Sequence, residues 1–366
     1  MDGSTVVPHE HSIEAFPTYY SSAPLQTLAK YMSFSSSSSD DSMDSFTPPT
    51  PSSHPGTLHF VPPNLCAFEP SKPLAGGADT KTLLWIGGMF DTLLSVTYPL
   101  LLAQALGPQW SLMTASLTSA GRSWGTSSIA RDAEDMGKIV AYIKEKRPNG
   151  KVVIMGHSTG CQDCMEYLVG AKAETRKAVD GIILQASVSD REAIHHMAPK
   201  AFINEADQLA LKMCREGKGK DVMPIRLTQP VMESSIAITA KRWVDVSSPG
   251  PDHTGADDYF SSDLSDERLS KTFGRLPARS PLLILYGSSD ESVPDFVDKE
   301  ALVRKWMRAT TQGGGRADES NGGVVPGASH NLNDSPDDVR QDLVHRVLGF
   351  MAKLDAGDFE VAGSRI

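Results

Sequence analysis

The sequence predicts an α/β fold: a mostly parallel sheet flanked by helices, with a lid insertion standing above it. Three observations predict it. Short apolar runs of strand length alternate with amphipathic stretches, one of those runs ends in a serine set between glycines, and an acidic loop and a histidine loop follow it in that order. The 366 residues suit a chain with a sizeable core, being 40% hydrophobic and 22% charged.

Taken in order, residues 1–56 read as a disordered Ser/Pro-rich tail, because five consecutive serines from Ser35 to Ser39 precede Asp40, Asp41 and Asp44, and Pro48, Pro49, Pro51 and Pro55 interrupt any helix. The folded domain is expected over 57–355. Its strand candidates are 82–86, 111–115, 151–155, 181–184 and 281–286. Over 128–146, Ile129, Ala133, Met136, Val140 and Ile143 fall on one helical stripe, with Asp132 near the positive N-terminal end. Residues 191–276 break the alternation, being polar and mixed in charge, and are expected to form the lid insertion. The glycine-rich stretch 312–323 lacks the Gly-Lys-Ser/Thr ending of a phosphate loop and reads as a flexible connection. In the final helix Ser335 is expected to cap, Pro336 to take the first turn, and Val339, Leu343, Val347 and Phe350 to face the core. Residues 356–366 read as a loose C-terminal tail.

Charge and composition narrow the function classes. Thirty-five Lys and Arg against 45 Asp and Glu leave a formal charge of -10, which disfavours nucleic acid and an anionic membrane surface as partners. No stretch approaches the ~20 apolar residues of a membrane helix, and the first residues lack a secretory leader, so a cytoplasmic protein is expected. Four cysteines cannot form a dense disulfide framework. Cys161 and Cys164 make a C-x-x-C without a second ligand pair, which reads as core packing rather than a zinc or redox site. No cofactor and no protein-bound metal are expected.

The chemistry lies in Gly156-His157-Ser158-Thr159-Gly160, directly after the strand 151–155 and before a helix-compatible run. That is the setting of a nucleophile elbow: flanking glycines permit a turn so sharp that the serine hydroxyl stands clear at the top of the sheet. A serine hydroxyl is a weak nucleophile at neutral pH, so it needs a histidine to take its proton and an acid to orient that histidine. After such an elbow the acid comes next in the chain and the histidine last. The strand 281–286 runs into Gly287-Ser288-Ser289-Asp290-Glu291, which makes Asp290 the acid, with its neighbour Glu291 as runner-up. Gly327-Ala328-Ser329-His330-Asn331, just before the last helix, makes His330 the base. His345 lies inside a helix, His157 inside the elbow, and His195, His196 and His253 precede the acid. An oxyanion hole needs two backbone N–H groups. Thr159 supplies one, and Met89 in Gly87-Gly88-Met89-Phe90-Asp91 is expected to supply the other.

These residues resemble the α/β-hydrolase superfamily and, more narrowly, a fungal family of serine hydrolases that includes siderophore esterases acting on fusarinine C. The likeness spans about 57–355 and lies in WIGGMFD at 85–91, MGHSTGCQDCMEYL at 155–168, GIILQASVSDREA at 181–193, DDYFSSDLSDE at 257–267, SSDESVP at 288–294 and GASHNL at 327–332. Ser187 departs from the family pattern, where proline is expected, and the N-terminal tail lies outside it. The resemblance implies a serine esterase that hydrolyses an ester of a hydroxamate siderophore through an acyl-enzyme, any iron arriving with the substrate. The other readings are a general carboxylesterase, thioesterase or lipase, the polar insertion arguing against a lipase, and a non-catalytic binding module on the same fold. The small-molecule ester is the expected partner, and oligomeric state is left open.

Overall fold

The computed structural model describes residues 52–71, 77–232 and 236–359. The Ser/Pro-rich tail to residue 51 and residues 360–366 therefore lie outside the described residues. Gly56, which the sequence places in the tail, already belongs to the first strand.

Eight strands form one sheet: β1 (Gly56–Val61), β2 (Leu65–Pro70), β3 (Lys81–Ile86), β4 (Trp110–Ser116), β5 (Val152–His157), β6 (Gly181–Gln185), β7 (Leu282–Gly287) and β8 (Gly323–Val325). Their order is β1-β2-β4-β3-β5-β6-β7-β8. The β1–β2 and β2–β4 pairs are antiparallel, and every pair from β4–β3 to β7–β8 is parallel. The central strands are mostly apolar because both faces are covered. In β7, Leu282 and Ile284 face one core while Leu283 and Leu285 face the other.

The first core is roofed by α2 (Ile129–Lys146), α3 (Thr159–Val169) and α9 (Lys299–Gln312), and the second by α1 (Tyr98–Ala105) and α10 (Asp337–Ala356). The α2 stripe is buried as its spacing predicts, and the Ser128 hydroxyl caps the helix by accepting from Arg131 N at 3.3 Å. Each fully buried Leu, Ile or Val contributes about 1.5–3 kcal/mol.

Sequence expectation and structure differ at three places. The hairpin β1–β2 has no counterpart among the strand candidates: most of β1 is exposed, so its sequence carries no buried run. The connection 312–323 ends in strand β8, only three residues long. Ser335 does not cap α10. Pro336 holds the N-cap position without a side-chain bond, and the Ser335 hydroxyl instead accepts from Ser329 N at 3.2 Å, tying the histidine loop to the helix entry.

The insertion between β6 and β7 is helical: α4 (Asp190–Met197), α5 (Lys200–Arg215), α6 (Gln229–Met232), α7 (Ala240–Ser247) and α8 (Asp266–Lys271). Although polar in composition, it has a core of its own around Ile203, Ala206, Ala210, Trp243 and Val246, packed with Trp124. The apolar residues occupy one stripe per helix, which average composition hides.

Candidate active site

The elbow forms where β5 ends and α3 begins. Ser158 sits between them with φ of 52°, a left-handed backbone that L-residues seldom adopt and that functional turns retain. Gly160 lies so close under β3 that an added Cβ would stand 2.4 Å from Ile86 O. On the other side Gly88 brings the loop after β3 against the nucleophile, a Cβ there lying 2.6 Å from Ser158 Cβ.

The structure brings together the three side chains picked from sequence. His330 Nε2 is 2.9 Å from Ser158 Oγ, and His330 Nδ1 lies 3.0 Å from each oxygen of Asp290. With Asp290 as acceptor, Nδ1 carries the proton and Nε2 is left to accept from the serine. Burial works to lower the His330 pKa, but the hydrogen bond and charge of Asp290, helped by Glu291 and Asp91, outweigh it and raise the pKa. Glu291 instead holds the loop that carries the ring, its Oε2 accepting from the His330 backbone N–H at 2.9 Å. Lys299 fixes the acid loop by donating to Ser288 O at 2.8 Å and to Gly287 O at 3.3 Å.

Thr159 is the first residue of α3, so its N–H is one of the helix's unsatisfied donors beside the nucleophile. Met89 lines the same pocket, and its N–H has no acceptor among the described residues. Its loop is held by Asp91, whose Oδ2 accepts from Gly88 N at 2.7 Å and whose Oδ1 accepts from Ser95 Oγ at 2.8 Å.

Sequence reasoning missed the group beneath the triad. Gln185, at the end of β6, accepts through Oε1 from Tyr98 OH at 3.1 Å and from His157 Nδ1 at 2.6 Å, and donates through Nε2 to His330 O at 3.2 Å. Trp85 Nε1 donates to Tyr98 OH at 2.9 Å. His157 is stacked on Trp85, and burial, reinforced by the charge on His330, lowers its pKa to about 4, so it stays neutral. The available signal was position: Gln185, His157 and Asp91 all stand at or just past the carboxyl ends of parallel strands, where ligands of such sheets bind. Asn333 Oδ1, on the far side of the histidine loop, accepts from Thr97 N at 2.9 Å at the start of α1. Cys161 and Cys164 are fully buried in the core.

The pocket above Ser158 measures about 250 Å³. Its walls include Met89, Phe90 and Val188 from the sheet loops, and Ile194, Val231 and Met232 from the insertion. The insertion therefore presents apolar side chains to the pocket, contrary to its polar composition. Asp190 also lines the pocket, and burial raises its pKa to about 7. Among the described residues, no helix is long and apolar enough to cross a membrane.

A relative from Aspergillus fumigatus named fusarinine C esterase sidJ is 36% identical over 342 residues, covering 82% of this chain and 96% of that protein. The solved structure of siderophore hydrolase EstB from the same organism aligns with a TM-score of 0.72 at 35% identity, covering 82% of this chain and 98% of that one. An α/β-hydrolase-fold protein of unknown function aligns at TM-score 0.57 and 19% identity, over 86% of this chain and all of its own, a likeness of fold alone. The family described as protein of unknown function DUF1749 matches residues 43–352. With its mostly parallel eight-stranded sheet, the chain has the α/β-hydrolase fold and belongs to the DUF1749 family.

Proposed function

We propose that the protein is a serine esterase that hydrolyses an ester of a hydroxamate siderophore such as fusarinine C, through an acyl-enzyme. The observation that carries the chemistry is the unbroken chain Ser158 Oγ, His330 Nε2, His330 Nδ1, Asp290, with separations of 2.9 and 3.0 Å. His330 takes the serine proton as Ser158 attacks the ester carbonyl, and Asp290 stabilises the imidazolium that results. The N–H groups of Thr159 and Met89 receive the developing oxyanion, where losing one such donor costs about 10²–10³ in rate. His330 then protonates the leaving alcohol, and water, deprotonated by the same histidine, releases the acid from Ser158.

The substrate class is supported by the relatives, one named for fusarinine C and one for siderophores. The pocket is smaller than the roughly 300–1,000 Å³ of sites that enclose whole drug-sized ligands, so it fits one arm of a large ester while the rest lies outside. Residues 191–276 act as the lid, because α4 and α6 supply much of its wall. All four cysteines are free, two of them fully buried, which suits a reducing cytoplasm, where the ester would be opened to release iron.

The test compares kcat/KM for ferric and iron-free fusarinine-type triesters with that for acetyl and butyryl esters, products being followed by mass spectrometry. The triesters are expected to be preferred, and Ser158→Ala to lose turnover by ~10⁴ or more together with fluorophosphonate labelling. Preference for the simple esters overturns the siderophore assignment, and labelling at a residue other than Ser158 overturns the mechanism.

A further inference from the structure

The oxyanion donor Met89 stands in a turn that its own residues do not favour. Asp91 N–H donates to Gly88 O at 3.2 Å, which closes a four-residue turn with Met89 and Phe90 at its centre. Phe90 holds φ of 66° there, at the place where such turns take glycine, and a bulky residue keeps that backbone only where its surroundings hold it. The Asp91 carboxylate ties only the end of the turn, at Gly88 N.

What holds Phe90 is Trp124. The two rings meet edge to face with centroids 5.4 Å apart, and Trp124 is buried. Met89 and Phe90 pack against the core of the insertion, of which Trp124 is a member. Trp124 is itself fixed at both ends of its turn, Gly121–Thr126. On the oxyanion side Gly121 N–H donates to Asp91 O at 2.9 Å. On the insertion side Thr239 N–H donates to Gly125 O at 2.9 Å, and Gly125 comes so close to Ala237 O that an added Cβ would stand 2.2 Å from it. The Arg242 guanidinium of α7 lies 4.1 Å from the Trp124 ring centre. A short turn between β4 and α2 thus binds the oxyanion loop to the insertion.

We infer that Trp124 is a positioning residue for the oxyanion hole: its ring holds Phe90 in the left-handed turn and so keeps the adjoining Met89 N–H aimed at the carbonyl oxygen of the substrate. This rests on the esterase reading and adds to it a residue that touches neither the substrate nor the triad. Trp124 also contributes to the insertion's core, but loss of folded enzyme lowers turnover of every substrate alike. A misaimed N–H does not, because it weakens only what the oxyanion accepts.

The experiment compares p-nitrophenyl acetate with p-nitrophenyl thionoacetate, whose carbonyl oxygen is replaced by sulfur, a weaker acceptor, on the full-length protein. Each rate is divided by that of the same ester with hydroxide. Wild type is expected to prefer the oxygen ester by about 10²–10³ in kcat/KM, the size of one oxyanion donor. Trp124→Leu, which removes the ring contact with Phe90, is expected to cut that preference about tenfold or more, through kcat rather than KM for the acetate. Trp124→Phe keeps an aromatic ring beside Phe90 and removes an indole N–H that is buried without a partner, so it is expected to retain the preference. Both esters are read on one preparation, so loss of folded enzyme cancels in the ratio. Phe90→Leu probes the same contact from the oxyanion loop, leaves the insertion's core in place and is expected to lower the preference as Trp124→Leu does, which covers a Trp124→Leu chain that fails to fold. A wild-type preference in folded Trp124→Leu or in Phe90→Leu, an equal loss in Trp124→Leu and Trp124→Phe, or a wild type that does not distinguish the two esters overturns the inference and leaves the esterase. Absence of both hydrolysis and fluorophosphonate labelling in the wild type overturns the esterase reading and the inference with it.

Discussion

His330 receives two acids, one on its ring and one on its backbone, and the two are distinguishable by mutation. Asp290→Asn removes the carboxylate that sets the ring tautomer, for a loss on the order of 10⁴ in kcat. Glu291→Gln leaves an oxygen able to accept from His330 N–H, so a far smaller loss is expected. The pH profile separates them further. The base must be neutral to accept the serine proton, and Asp290 raises the His330 pKa, so the acid limb of kcat/KM should lie above the ordinary histidine value of about 6.5. In Asp290→Asn the residual activity should lose less as the pH falls, its limb moving to lower pH. Equal effects of the two substitutions on rate and limb would show that the ring contact does not control the base.

Between elements, the elbow depends on α3 and β3 approaching closer than any side chain permits. Gly160→Ala would force its methyl against Ile86 O, and backbone cannot yield as a side-chain tip can. Overpacking of this kind costs typically 1–3 kcal/mol, and more is expected where both partners are backbone. A thermal melt and the fluorophosphonate labelling rate should therefore fall together in Gly160→Ala. A variant of wild-type melting temperature and labelling rate would mean that α3 can move away from β3 without disturbing Ser158. The five parallel-strand candidates were legible from sequence because each is buried on both faces. The hairpin β1–β2 was not, because an edge hairpin with one exposed strand has no such run.

For the whole molecule, a buried ion pair helps to hold the insertion in shape. Arg242 on α7 is fully buried, pairs with Asp257, and lies 4.1 Å from the ring centre of Trp124, which belongs to the turn before α2. Removing one partner of a buried pair leaves the other uncompensated, so Arg242→Ala is expected to destabilise by about 3–5 kcal/mol, read as a lower urea midpoint. Arg242→Ala should lower activity on bulky esters more than on acetyl esters if the insertion loosens as a unit. An unchanged midpoint would show that the pair is solvated in solution and does not hold the insertion.

Strand burial, turn sterics and chain order are local or linear properties, so the fold class, the elbow at Ser158, and the order in which an acid loop and a histidine loop follow could all be read along the chain. Packing was needed to show that Asp290 meets the ring while Glu291 meets the backbone, since adjacent loop residues differ by direction rather than by type. Packing also assembled Trp85, Tyr98, His157 and Gln185 under the triad, from positions well separated in the chain. It turned the apolar stripes of a polar insertion toward the nucleophile. These are consequences of which side chains share a volume, and that follows from the folding of the whole chain rather than from the pattern along it.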